Sequence, residues 1–403
     1  MRNLFFGLIA LVSPTLACTD VGSSDVDHTD VYGQASQWSP EDNPDQLLNR
    51  VLEKKAAALP NTGRVGGTGV WPGDYWATYN DSINYRWMNS ATLSPAEKYQ
   101  RAFAASGGAG FVGRVQATHG IRSGTGATCN SDAVCGEGET CAIERGASKG
   151  KCTATWTGIC HGWAPASFLV PEPKYPVTVN GVRFEVSDIK ALASLLYTNV
   201  DANLISLRCE ELLDGRTPAS PECKDTNAGA FHVAITNLVG IGKKSFVLDR
   251  TIDAEVWNHP IVGYSVMANV GVDAATANQL VTGRRGAYER NPAAKAFRRI
   301  TMNVDLVVES DARSNGPLQP QLRNYIATET YTYVLELNAQ GAIIGGEWYG
   351  ASTARHPDFL WAPKGRLPDF QADGRTPWTS PEGLRSNIVH GLVNDSQRAN
   401  VVR

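Results

Sequence analysis

The stretch TWTGICHGWAPASF, residues 155 to 168, sets Cys160 between Trp156 and Trp163 and beside His161. The segment that follows, APASFLV, predicts a helix starting at the cysteine, so a thiol would sit at a helix N-terminus. Cys160 is a half-cystine, a metal ligand or a reactive thiol, and the other cysteines decide among these.

The eight cysteines are Cys18, Cys129, Cys135, Cys141, Cys152, Cys160, Cys209 and Cys223. Four crowd into CNSDAVCGEGETCAIERGASKGKC, residues 129 to 152, a polar, glycine-rich segment without helical or strand periodicity. It reads as a loop stapled by two disulfides. Its spacing lacks the CxxC and paired histidines of a zinc site. Of three open connectivities, Cys129–Cys141 with Cys135–Cys152 is the working one. Cys209 and Cys223 flank a turn-rich segment whose closure would remove loop entropy from the unfolded chain. With Cys18 set aside as processed, three pairs leave one odd thiol. Cys160 lies among Gly158, His161, Gly162 and Pro165 rather than in an aliphatic run, which favours a reactive thiol over a buried inert one.

Cysteine pairing requires an oxidising compartment, and the N-terminus supplies the route. Met1-Arg2-Asn3, the apolar run Leu4 to Val12 and the small residues to Ala17 form the three regions of an export signal, residues 1–17. Leu16-Ala17-Cys18 resembles a bacterial lipobox with its leucine one position late, so Cys18 is a lipidation candidate and the protein is expected outside the cell or on its surface. No other run reaches the ~18 apolar residues of a spanning helix. A lipid on Cys18 would then be the sole membrane link. The net charge of −3, from 37 basic and 40 acidic residues with no basic run, gives no reason to expect nucleic acid or an anionic membrane as partner.

Residues 18–60 are read as a flexible tail or pro-region, although NPDQLLNRVLEKKAAAL within them has the periodicity of an amphipathic helix. Residues 61–390 form the catalytic domain, with 129–152 as an insert. LSPAEKYQRAFAAS predicts a helix capped by Ser94 with Pro95 at its first turn. Gly108, Gly110 and Gly113 spell GxGxxG, but they follow a helix instead of a strand and no acidic ribose partner comes about 20 residues on, so a nucleotide site is rejected. PVTVNGVRFEV predicts a hairpin about Asn180-Gly181, and SDIKALASLLYTNV a capped helix. AFHVAITNLVG and KSFVLDRTI read as strands, and TYTYVLELNAQGAIIGGEWYG as a second hairpin. Helices come mostly early and strands mostly late, which argues an α+β fold with an antiparallel sheet. Asn80-Asp81-Ser82 and Asn394-Asp395-Ser396 are glycosylation sequons, relevant in a eukaryotic host.

A thiol nucleophile needs a base and a group that holds the base. In chain order the sequence offers Cys160, then His232, then Asp249 on the next expected strand. His161 is a rival base, but a neighbour along a helix points about 100° away. His259 is a weaker competitor.

CHGWAPA (160–166), FHVAITNLVG (231–240), SFVLDRTID (245–253) and VWNHPIVGY (256–264) together resemble the transglutaminase elicitor family of oomycetes and bacteria. WPGDYWATYNDSINY, SPAEKYQRAF and GGEWYGASTARHPDFLWAP look like further family blocks, and the likeness runs from about residue 60 to 365. The resemblance implies a papain-like core and a Cys160, His232, Asp249 triad for protein cross-linking. FVLDRT is also similar to the Asp-bearing strand of animal transglutaminases. VWNHP resembles the surface peptide that plants recognise in oomycete members, with His259 in place of Gln.

The implied reaction passes a glutamine γ-acyl group through a Cys160 thioester to a lysine amine, so the implied partners are proteins bearing Gln and Lys. Trp156 and Trp163 are candidates to exclude water and steer the amine. The Cys160 backbone N–H would serve the oxyanion hole, whereas Ala154, at the offset of the papain glutamine, cannot donate. A secreted cysteine protease or amidase shares the triad, and a non-catalytic elicitor-type binding protein shares the fold. No metal is implied, and no EF-hand pattern argues for calcium.

Overall fold

The computed structural model describes residues 38–403 apart from 68, 209–225 and 253. The export signal, Cys18 and the expected Cys209–Cys223 pair lie outside these residues.

In chain order the helices are α1 (Pro95–Phe103), α2 (Phe111–Thr118), α3 (Cys160–Leu169), α4 (Val186–Tyr197), α5 (Ala228–Ile235), α6 (Ala274–Thr282) and α7 (Ser386–Asp395). The strands are β1 (Thr62–Arg64), β2 (Thr128–Cys129), β3 (Glu139–Ala142), β4 (Gly150–Ala154), β5 (Val177–Val179), β6 (Val182–Phe184) and β7 (Ala202–Ile205). Then come β8 (Val247–Asp249), β9 (Asn258–Val272), β10 (Ala296–Val307), β11 (Ile326–Leu337), β12 (Ile343–Trp348), β13 (Leu360–Pro363) and β14 (Val401–Val402).

The main sheet runs β12-β11-β10-β9-β8-β13-β7, with β1 added on β9, and every pairing in it is antiparallel. Ile300, Met302, Val304 and Leu306 of β10 bury against Phe231 and Val233 of α5. Val262 and Val307 belong instead to the core built on Trp163 of α3 and Leu192 of α4. The start of β9 and the end of β10 are therefore covered on both faces, and α3 and α5 belong to different cores.

Local chemistry sets the helix ends. Ser94 Oγ accepts from Glu97 N–H while the Glu97 carboxylate accepts from Ser94 N–H, a closed capping box ahead of Pro95. All of α4 is buried. Its two interior charges are paired, Lys190 Nζ with Glu172 at 2.6 Å and Asp188 with Lys98, as burial demands.

The insert forms its own small sheet, β2-β4-β3, held by Cys129–Cys141 and Cys135–Cys152, the pairing taken from the sequence. The expected hairpins appear as β5–β6 about Asn180-Gly181 and as β11–β12.

Three expectations shift. The NPDQLL helix is a short 3-10 turn, Pro44–Leu48, stopped at Asn49 in the left-handed region (φ 50°). Even so, Trp38, Leu47, Leu52 and Leu59 are buried in the α5-side core, so the chain is integrated well before residue 61. At the other end α7 runs through Asp395, and β14 pairs in parallel with β5, so the domain passes residue 390. Lastly, AFHVAITNLVG is a helix, not a strand. Asn227 Oδ1 caps it by accepting from Gly229 and Ala230, and it widens into a π-helical turn at Thr236–Ile241. The run is buried on every side, which leaves no periodicity to tell helix from strand. Among the described residues no helix is long and apolar enough to cross a membrane.

Candidate active site

Cys160 is the first residue of α3 and is fully buried; among the described residues it is the cysteine outside a disulfide. Two close approaches fix the helix start. A Cβ on Gly162 would lie 2.1 Å from Ser194 O of α4, so only glycine lets the helices cross there, and a Cβ on Gly158 would lie 2.5 Å from Tyr75 O. Just ahead of the thiol, Ile159 N–H donates to Tyr75 O at 2.7 Å.

The thiol donates to Val256 O at 3.7 Å and accepts from Asn258 Nδ2 at 3.6 Å. Asn258 opens β9, and its Oδ1 accepts from the Trp361 indole at 2.7 Å. Directly across the ladder from Asn258 stands Asp249, the last residue of β8. Leu248, next to it, faces the α5 core, so alternation turns Asp249 toward α3. Glu309 lies two residues past the end of β10, beyond the last paired position of Leu306 with Ile261. Asp249 and Asn258 thus make a polar row at the thiol, and Glu309 interacts electrostatically with the same sulfur.

The electrostatics of the row follow from burial. Asp249 Oδ1 accepts from Trp257 N–H at 2.8 Å and from Thr251, while Oδ2 has no hydrogen-bond partner. Desolvation drives this carboxyl well above the carboxylate range, with Asp358 and Cys160 pushing the same way. Glu309 is raised mainly by desolvation, partly offset by His259. His259 Nδ1 donates to the Val307 carbonyl at 3.0 Å, and its Nε2 lies 3.8 Å from Glu309 Oε1. Neither of these two atoms has another hydrogen-bond partner.

His232 lies elsewhere. Its Nδ1 bonds to Tyr333 Oη at 2.7 Å in the α5-side core, and Tyr333 Oη reaches Met302 Sδ at 3.7 Å. Leu306, level with the start of β9, is four residues along β10 from Met302, roughly 13 Å of strand. The expected bond from His232 to Asp249 is absent, and desolvation holds the ring neutral with its pKa lowered to about 3.

Trp163 is fully buried and donates its indole N–H to Trp71 O at 3.3 Å, whereas Trp156 is half-buried against Val256 and Trp361. The aromatic pair beside the thiol is Tyr75 and Trp257, centroids 5.6 Å apart, which the sequence did not single out. Nor did it single out Asn258 or Glu309, although VWNHP contained the asparagine. Val256, Asn258 and His259 are buried, so this peptide is not the surface feature its resemblance implied.

The arrangement can hold an acyl group on sulfur and shuttle a proton through carboxyl and imidazole groups. The fold is similar to the crystal structure of the GP42 transglutaminase from Phytophthora sojae, with a TM-score of 0.76 and 32% identity over 90% of this chain and 98% of that one. The transglutaminase elicitor family model matches residues 44–376. The search of curated proteins gave no match.

Proposed function

This chain belongs to the transglutaminase elicitor family, and from that premise we propose that it transfers the γ-acyl group of protein glutamine to lysine amines through a thioester on Cys160. The observation that carries the reading is the Cys160 thiol, outside the disulfides of the described residues, at the N-terminus of α3 and seated on Asn258 and Val256 O. A helix N-terminus favours an anion, and its first N–H groups lack intrahelical partners.

In the first half-reaction the sulfur attacks the carboxamide carbon, the thiol proton goes to the departing nitrogen, and ammonia leaves. In the second an amine attacks the thioester, the C–N bond forms and the thiol is restored. The Cys160 backbone N–H would stabilise the oxyanion.

For the proton transfers we assign the Glu309–His259 pair in preference to the His232–Asp249 pair. Glu309 interacts electrostatically with both the thiol and His259, and the two facing atoms are a small movement from sharing a proton. Asp249 then tunes the site's charge rather than orienting an imidazole.

Incorporation of a fluorescent amine into a glutamine peptide, followed for Cys160→Ala, His259→Asn and His232→Asn, tests both parts. Cys160→Ala should abolish it, and His259→Asn should lose ~10²–10⁴-fold, with His232→Asn losing far less. Incorporation that survives Cys160→Ala removes the thioester. A total loss confined to His232→Asn restores the His232–Asp249 assignment. Peptide cleavage without incorporation makes the protein a protease.

A further inference from the structure

A cavity of about 540 Å³ is lined by Tyr75, Trp76, Ser82, Tyr85, Glu309 and Asp311 among others. It belongs to none of the hydrogen bonds that seat the thiol, yet it touches that site twice. Tyr75 O accepts from the N–H of Ile159, the residue before Cys160, and the Tyr75 ring packs at a tilt against Trp257. Glu309 interacts electrostatically with the thiol and contributes to the cavity wall.

The wall has unspent hydrogen-bonding capacity. Trp76 is 2% exposed and its indole N–H has no partner; Ser82 is fully buried and its hydroxyl has none; Glu309 Oε1 has none. Buried polar groups are ordinarily satisfied, so three orphans in the wall of one cavity mark it as a place built for a polar guest. Trp76 and Ser82 also hold positive φ, 50° and 52°, a conformation that bulky residues avoid. By contrast, Asp74 is spent: its oxygens accept from Trp76 and Ala312 N–H. The charge offered to a guest is chiefly that of Glu309, because Asp311 pairs with Arg313, which also lines the cavity and donates to the Tyr85 hydroxyl.

We propose that this cavity is the acyl-acceptor pocket, and that it selects acceptors that bring a primary ammonium on an alkyl stem with peptide carbonyls behind it. The inference rests on the acyl-transfer reading and assigns its second substrate a place. The stem lies among Tyr75, Tyr79 and Tyr85 and the ammonium faces the carboxylates, while Trp76 and Ser82 donate to the carbonyls. Glu309 takes one proton from the ammonium. The freed amine attacks the thioester carbon, the C–N bond forms as C–S breaks, and the second nitrogen proton ends on the Cys160 sulfur. The products are the amide, the thiol and protonated Glu309, with charge and hydrogens balanced.

The full-length protein, given a glutamine peptide, releases ammonia with or without amine, and the ratio of amide to acid formed reports the acceptor site alone. Nα-acetyl-lysine methylamide should be incorporated about tenfold more efficiently than Nα-acetyl-lysine, whose carboxylate the acidic wall repels, and the preference should shrink as salt is raised. Ser82→Trp, which fills the cavity, should lower the amide-to-acid ratio about tenfold. A misfolded variant would lose both products together, and the two-amine comparison on the unaltered protein then decides. Equal use of the two amines, or an unchanged ratio in folded Ser82→Trp, overturns the pocket. Absence of any ammonia release overturns the acyl-transfer reading beneath it.

Discussion

Trp361 donates its indole N–H to Asn258 Oδ1, and that bond decides which end of the amide meets the Cys160 thiol. An asparagine amide can be turned end for end without changing its shape, so its orientation is set by its partners. With Oδ1 fixed by Trp361, Nδ2 must point at sulfur. Trp361→Phe keeps an aromatic ring and deletes the donor. Amine incorporation should fall roughly tenfold to a hundredfold, mostly in kcat, with a loss of thermal stability worth only about 1 kcal/mol. A rate matching the unaltered protein would show that the amide is held by other means.

The His232 ring makes a second, thermodynamic prediction. Its pKa falls from 6.5 to about 3 in the folded chain. Below pH 6.5 the unfolded chain therefore binds a proton that the folded one refuses. This residue's contribution is complete above pH 6.5 and is lost as pH falls from there toward 3, amounting to a few kcal/mol. Denaturant unfolding of the protein and of His232→Asn between pH 7 and 4 should show a steeper decline for the histidine form. Parallel pH profiles would mean that the ring is reached by water.

At the crossing of α3 and α4, Gly162→Ala would force a Cβ to within 2.1 Å of Ser194 O and 2.7 Å of Thr198 Cγ2. The helices must part, at a cost of about 1–3 kcal/mol. Because the proposed nucleophile, Cys160, is two residues away, an ångström of displacement should also cut kcat by ~10²-fold. Calorimetry and rate measurements on one preparation check both, and a stable, fully active variant would show that the contact is slack.

In the insert, Cys135→Ser with Cys152→Ser opens a bridge that spans 17 residues of sequence. Loop-closure entropy alone assigns that bridge about 3 kcal/mol. Limited proteolysis should cut the variant within 129–152 well before the rest of the chain yields. Resistance equal to that of the oxidised protein would mean that the β2-β4-β3 sheet suffices by itself.

Much of this was legible beforehand because it is local. The Ser94 capping box, the Asn180-Gly181 turn, the helix beginning at Cys160 and the spacing of four clustered cysteines all depend on residues a few positions apart. What escaped depends on register. Asp249, Asn258 and Glu309 meet at the thiol only because β8, β9 and the segment after β10 converge there, and no spacing along the chain encodes that convergence. The family blocks named the right segments, but His232 sits in a helix on the far core. A run buried on all sides carries no face preference, so neither its helicity nor its distance from the thiol could be read.

Asn80, the first residue of an N-X-S acceptor sequence, is exposed and lies on the rim of the cavity between Tyr75 and Asp311. In a eukaryotic secretory pathway an oligosaccharide attached there would stand in the doorway of the pocket proposed for the acceptor amine. The choice of production host would then silence the proposed activity with every amino acid intact, and trimming the sugar would bring it back.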